Sequence, residues 1–180
     1  MCSSDLNPGI RHIANSGAII HFPDLYFDMV RSGLLLYGYL PGAITSERIH
    51  VSPAMELSAE VALVKLVPAG STIGYGATVR LTEDRYIGLI PLGYADGIPR
   101  RLDLPIWCTI SGARYPLIGR VSMDQITVDL GASTSVQAGE RAIFFGSSDS
   151  ATADDWAKAA GSISYEILSR IGARVPRLAR

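Results

Sequence analysis

M55-E-L-S-A-E-V-A-L-V-K-L-V67 alternates apolar and polar side chains well enough for one long β-strand with one face in a core. Period two then continues through the rest of the chain. R85-Y-I-G-L-I-P-L92, I106-W-C-T-I110, R114-Y-P-L-I118, Q125-I-T-V-D129 and E140-R-A-I-F-F145 read as further strands, separated by turns such as S111-G-A and A138-G-E. That pattern predicts an antiparallel β domain. Toward the amino end the texture differs: helix and strand pieces rich in Leu, Ile and Tyr run to Pro41-Gly42, and a polar stretch follows through His50. A boundary is therefore expected between residues 42 and 53, giving a first domain over 1–50 and a second over 51–180. Near the carboxyl end, Thr152 three residues before Asp155 forms a capping box for a helix that stops at Gly161. A second helix is expected from Ser164 to Ile171, before Gly172.

The 180 residues, 48% of them hydrophobic and 18% charged, suffice for a substantial core. A formal net charge of −1 and the lack of a basic run argue against nucleic acid as a partner. The longest apolar run, G33-L-L-L-Y-G-Y-L40, is too short to span a membrane. M1-C-S-S-D-L-N-P has neither the basic nor the apolar region of a signal peptide, and Met1 is read as an arbitrary cut point. Cys2 and Cys108 make neither a disulfide framework nor a metal-ligand spacing, which suits a reducing cytoplasm. Only Lys65 and Lys158 among the sixteen basic residues are lysines. The first reads as a strand lysine extending to solvent, the second as the wet face of a short helix.

Six short segments carry the candidate chemistry. In S71-T-I-G-Y-G-A-T-V79, glycines on both sides of Tyr75 let the backbone turn sharply, so the phenol can project from a loop. The other reading is a turn whose Tyr covers a hydrophobic edge. H12-I-A-N-S-G17 brings a His, an Asn and a Ser to a predicted helix start, where Ser16 could offer its hydroxyl to an anion. M29-V-R-S-G-L-L35 places Arg31 at a strand end, before a glycine that permits close backbone approach. Two such adjacent strand ends resemble the phosphate site of the last strands of a (β/α)8 barrel. P91-L-G-Y-A-D-G-I-P-R-R101 could be a loop held by an Asp–Arg pair. G119-R-V-S-M-D-Q125 opens a strand, and Tyr165 lies in the first turn of the last helix.

In order and spacing, H-x-A-N-S, V-R-x-G-(x)3-Y-G, G-Y-G-A-T, G-Y-A-D-G, G-R-V-x-M-D-Q and Y-E-I-L with a trailing R-V-P-R closely resemble the carboxyl-terminal half of alanine racemase. That bacterial enzyme uses pyridoxal 5'-phosphate to interconvert L- and D-alanine for cell-wall synthesis. The likeness runs from His12 to Arg177. It implies the last strand–helix units of a (β/α)8 barrel followed by a mostly antiparallel β domain, acting as a homodimer with shared active sites.

Residue by residue, the resemblance implies that Ser16, Tyr165 and the backbone of Gly33 and Leu34 hold the cofactor phosphate. Arg31, backed by His12, would face the pyridine nitrogen. Tyr75 would be the catalytic acid–base on one face of the substrate, in the partner subunit's active site, and the Met123 N–H would receive the substrate carboxylate. Tyr94, Arg100, Arg120 and Ile163 fall where the family has a narrow entry corridor. The family's Schiff-base lysine, which is also the second base, has no match at Lys65 or Lys158. Most of the barrel is missing as well, so the chain is expected to show little activity alone, whether as a fragment or as a half-enzyme paired with a separate amino-terminal half. Open strand edges near residues 10 to 36 are expected to invite association. The competing functions are a broad-specificity racemase and a non-catalytic β domain that only dimerises.

Overall fold

The strand read over residues 55–67 is two strands, and the break between them organises the larger part of the molecule. The computed structural model describes residues 9–42 and 49–179, and Met1 and Cys2 lie outside them. The chain divides into one unit up to Met55 and another from Glu56.

In the first unit, Asn15 and Arg31 form a parallel bridge, extended by bonds from the Arg31 N–H to the Ala14 carbonyl (2.8 Å) and from the Asp28 N–H to the Arg11 carbonyl (3.1 Å). Each segment runs into a helix, α1 over Ser16–His21 and α2 over Gly33–Leu36. Ala14, Ile20, Leu34 and Tyr39 are buried, whereas Ile10, Ile13, Phe22, Phe27 and Leu36 are exposed.

The second unit is a curled antiparallel sheet. Its strands are β1 (Leu57–Glu60), β2 (Leu63–Val67), β5 (Arg85–Ile90), β6 (Trp107–Ile110), β7 (Ala113–Ile118), β8 (Ile126–Gly131) and β9 (Arg141–Phe145). A separate ribbon pairs β3 (Thr72–Ile73) with β4 (Val79–Arg80). The seven-stranded order is β1-β9-β6-β7-β8-β5-β2, so the two strands nearest in sequence stand at opposite ends of the sheet. The handover takes one residue: the Val61 N–H bonds to the Glu140 carbonyl and the Ala62 N–H to the Leu89 carbonyl, both at 2.8 Å. Leu57 and Val61 on the expected inner face are buried, whereas Leu63 and Lys65 further along that face are exposed, and a change of hydrogen-bonding partner, invisible in the pattern, divides the two pieces.

The expected strands over 85–92, 106–110, 114–118, 125–129 and 140–145 correspond to β5 to β9. Two helices close the unit, α3 (Ala153–Ala159) and α4 (Ser164–Arg170). The capping box forms as read: the Asp155 N–H donates to Thr152 Oγ1 (3.1 Å) and the Thr152 N–H to Asp155 Oδ2 (2.8 Å). Trp156 anchors α3 on the sheet, fully buried against Phe144, with its Nε1–H donating to the Phe144 carbonyl at 2.8 Å. Burial pushes the Cys108 thiol up to about 12. Lys65, on β2, and Lys158, on α3, are both exposed. No helix among the described residues is long and apolar enough to cross a membrane, and no group of His, Cys, Asp and Glu among them could hold a metal ion.

Candidate active site

The β3–β4 ribbon lifts Tyr75 away from the sheet. At its base, Ile73, Leu81 and Ile87 form a buried cluster with Val67, Val79 and Ile118 packed on it. At its tip, Gly74 and Gly76 take positive φ angles of 72° and 76° and turn the chain through a short 3-10 segment, Tyr75–Ala77. The ring of Tyr75 is 72% exposed, so it does not serve to cover a hydrophobic edge.

The ribbon lies over the β7–β8 connection. A Cβ on Gly74 would stand 3.1 Å from the Arg120 backbone nitrogen, and one on Gly119 would stand 3.1 Å from the Ile73 side chain. This close approach brings Tyr75 and Met123 to one cleft of about 390 Å³, lined also by Gly74, Ser122, Asp124 and Gln125. The Met123 N–H makes no hydrogen bond among the described residues, and the side chain is half exposed. The cleft thus offers a phenol and a free amide donor together. A second cleft, of about 350 Å³, gathers Arg100 and Arg120 with Arg101. Arg101 is paired with Asp103 at 2.8 Å, while Arg100 and Arg120 have no carboxylate partner among the described residues.

Tyr94 sits in the turn Tyr94–Asp96, which packs directly on the β7–β8 connection. The Tyr94 N–H donates to the Ser122 carbonyl (3.0 Å) and the Ala95 N–H to the Met123 carbonyl (2.9 Å). The Asp–Arg pair anticipated within residues 91–101 is absent. Buried Asp96 instead accepts from the Gly93 N–H at 2.8 Å and faces Arg174 Nε at 3.4 Å. Arg174 also donates to Asp124 Oδ1 at 2.7 Å, and the two carboxylates hold its guanidinium above its ordinary pKa, the Asp124 hydrogen bond first. Sequence reasoning missed this bridge, because the R-V-P-R tail is remote in the chain from both aspartates. At α4, Ile163 is the exposed N-cap and Tyr165 a partly exposed first-turn residue.

In the first unit, the helix cap differs from the expectation by one residue. Asn15 is the N-cap of α1, its side chain accepting from the Ala18 N–H at 3.0 Å. Ser16 is buried, and its hydroxyl donates across to the Ser32 carbonyl and accepts weakly from the Leu35 N–H at 3.5 Å. Gly33, at φ 31°, leaves 3.7 Å between Ser16 Oγ and the place a Cβ would occupy. The N–H groups of Gly33 and Leu34, in the first turn of α2, have no partner among the described residues. His12 and Arg31 are both exposed, and no hydrogen bond joins their side chains.

Comparison with known proteins places this arrangement. Residues 54–179 match the family model "Alanine racemase, C-terminal domain", and residues 2–41 match "Alanine racemase, N-terminal domain". The chain is 45% identical over 177 residues to the alanine racemase of Streptomyces coelicolor, covering 96% of this chain and 45% of that one. It is 38% identical over 178 residues to that of Treponema denticola, covering 96% and 47%. The solved alanine racemase of Streptomyces coelicolor superimposes with a TM-score of 0.84 at 44% identity, over 97% of this chain and 46% of that one. That of Bacillus anthracis with bound L-Ala-P gives 0.85 at 32% identity, over 95% and 45%. The chain spans about half the length of the curated relatives it matches.

Proposed function

Because the chain belongs to the alanine racemase family, we propose that it is the carboxyl-terminal part of a cytoplasmic, pyridoxal phosphate-dependent alanine racemase. Residues 1–50 are then the remnant of the cofactor-binding barrel, and 51–180 the β domain that carries the proton-transfer tyrosine and a dimer surface. The observation that supports this best is the exposed phenol of Tyr75 sharing a cleft with the Met123 N–H, which has no partner among the described residues.

In this reading Tyr75 removes or returns the α-proton of the amino acid on one face, in the active site of a second subunit. A group that crosses an interface must stand clear of its own domain, as the ribbon tip does. The Met123 N–H receives the substrate carboxylate, one face of the reacting carbon thereby being turned toward the phenol. Arg100 and Arg120, with Tyr94 and Ile163, line the approach and draw in a small zwitterion by its carboxylate.

The residues assigned to the cofactor fit it. Ser16 Oγ lies 3.7 Å from where a Cβ at position 33 would stand, no side chain occupies that place, and the Gly33 and Leu34 amides have no partner among the described residues, which suits a phosphate group that takes the Ser16 hydroxyl from the Ser32 carbonyl. Tyr165 is assigned to the same phosphate by family resemblance alone. The Arg31 guanidinium, exposed and without a side-chain hydrogen bond among the described residues, is available to hydrogen-bond the ring nitrogen but would not transfer a proton to it. Pyridoxal phosphate, when bound, supplies an electron sink for the α-carbon.

Racemisation needs a second base on the opposite face, and neither lysine of this chain matches it. The activity is therefore that of an assembly containing the lysine-bearing barrel. In such an assembly, completed with the barrel of the Streptomyces coelicolor relative, Tyr75→Phe lowers kcat for alanine by about 10²- to 10⁴-fold. An unchanged kcat refutes the assignment. Comparing alanine with serine and lysine as substrates separates a narrow from a broad racemase.

A further inference from the structure

We propose that Arg174 is a positioning residue that aims the Met123 N–H at a substrate carboxylate by clamping Asp96 to Asp124; this rests on the reading of Met123 given above. The Met123 N–H and the Ser122 carbonyl belong to one planar peptide and point in opposite directions. Whatever holds that carbonyl therefore sets where the N–H points. The carbonyl is held by the Tyr94 N–H at 3.0 Å, and the next one, of Met123, by the Ala95 N–H at 2.9 Å.

Both donors belong to the turn that Asp96 closes, through the Gly93 N–H at 2.8 Å. The other carboxylate oxygen of Asp96, in a residue only 7% exposed, faces Arg174 Nε at 3.4 Å. Among the described residues no other cation reaches it. Arg174 uses a second nitrogen on Asp124, the residue after Met123, at 2.7 Å. One guanidinium thus spans the two turns whose mutual register aims the free amide.

Its own backbone is braced. The Gly172 N–H donates to the Asp96 carbonyl at 2.9 Å, and Arg177 donates to the carbonyls of Ile171, Gly172 and Val175. A planar fork presents its donors to two carboxylates in fixed directions, whereas the rotatable donors of a compact ammonium leave their mutual geometry loose.

The test uses the 180-residue chain labelled with ¹⁵N and titrated with acetate as the carboxylate probe. In the unaltered chain the Met123 amide signal shifts and saturates. Arg174→Gln weakens the apparent Kd about fivefold. Arg174→Lys, which keeps the charge and loses the fork, weakens it about threefold and speeds hydrogen exchange of the Tyr94 and Ala95 amides, with exchange in β5 and β8 unchanged. If Arg174→Gln does not fold, Arg174→Lys decides. A Lys variant with unaltered affinity and exchange overturns the proposal and leaves the assignment of Met123 standing. Faster exchange throughout the sheet also overturns it, since the clamp would then be general stability. A silent Met123 signal in the unaltered chain overturns both.

Discussion

Gly93→Ala tests whether the close seating of the Tyr94 turn on the Met123 segment builds the cleft. Gly93 has extended backbone, φ −149°, which any residue adopts, so conformational strain does not enter. Space does: a Cβ there would lie 2.2 Å from the Met123 carbonyl oxygen and 2.5 Å from that of Ser122. Both obstacles are main chain, so the two turns must separate. The bonds at 3.0 Å and 2.9 Å that join them are then stretched or lost. At about 1 kcal/mol net for each bond, with overpacking adding 1 kcal/mol or more, the cost comes to roughly 3 kcal/mol. In a chain of this size that corresponds to a fall in Tm of about 6–12 °C, readable by circular dichroism. The matched control is Gly139→Ala, where nothing lies within 4 Å but φ is 92°, and the cost is limited to about 1 kcal/mol of backbone strain. If Gly93→Ala costs no more than its control, the seating of the turn is not what shapes the cleft.

Trp156→Phe removes the indole bond to the Phe144 carbonyl and leaves a small void at a fully buried position; a loss of about 2–3 kcal/mol is expected in urea unfolding. Cys108, with its thiol raised from 9.0 to about 12 by burial, stays protonated in the folded chain. Above pH 9 the unfolded state binds fewer protons than the folded one, so this thiol's contribution is intact below pH 9 and is lost toward pH 12, by about 1.4 kcal/mol per unit. Stability measured against a Cys108→Ala reference checks the slope, and alkylation at pH 8 should require unfolding. The Ser111 hydroxyl and, second, the Gln137 N–H hold the Glu140 carboxyl below its ordinary pKa. Ser111→Ala should therefore raise the Glu140 midpoint in a carbon-13 titration, and stability should fall as pH drops through that midpoint.

Features whose causes are local were legible in the amino-acid order. The Thr152–Asp155 box is three residues long and closes on itself. Along β8 burial alternates residue by residue, as its sequence does, because one face of the strand lies on the core. The order and spacing of six short motifs carry the family resemblance, whereas the glycines around Tyr75 allow its ring either to project or to cover a hydrophobic edge, and the fold decides for the first. The same local logic stopped one residue short at α1: Asn15 and Ser16 are both good caps, and a carbonyl from the neighbouring segment, at Ser32, drew the Ser16 hydroxyl away.

What only the folded chain decided are the long-range pairings. Residues 55–67 read as one strand, yet β1 joins β9 and β2 joins β5, because curling the sheet gives the run two different edges to satisfy. Asp96 pairs with Arg174, far along the chain, and with neither of the arginines at 100 and 101. Periodicity records which face of an element is buried. It does not record which distant backbone or charge meets that element, since those choices are made by the geometry of closure.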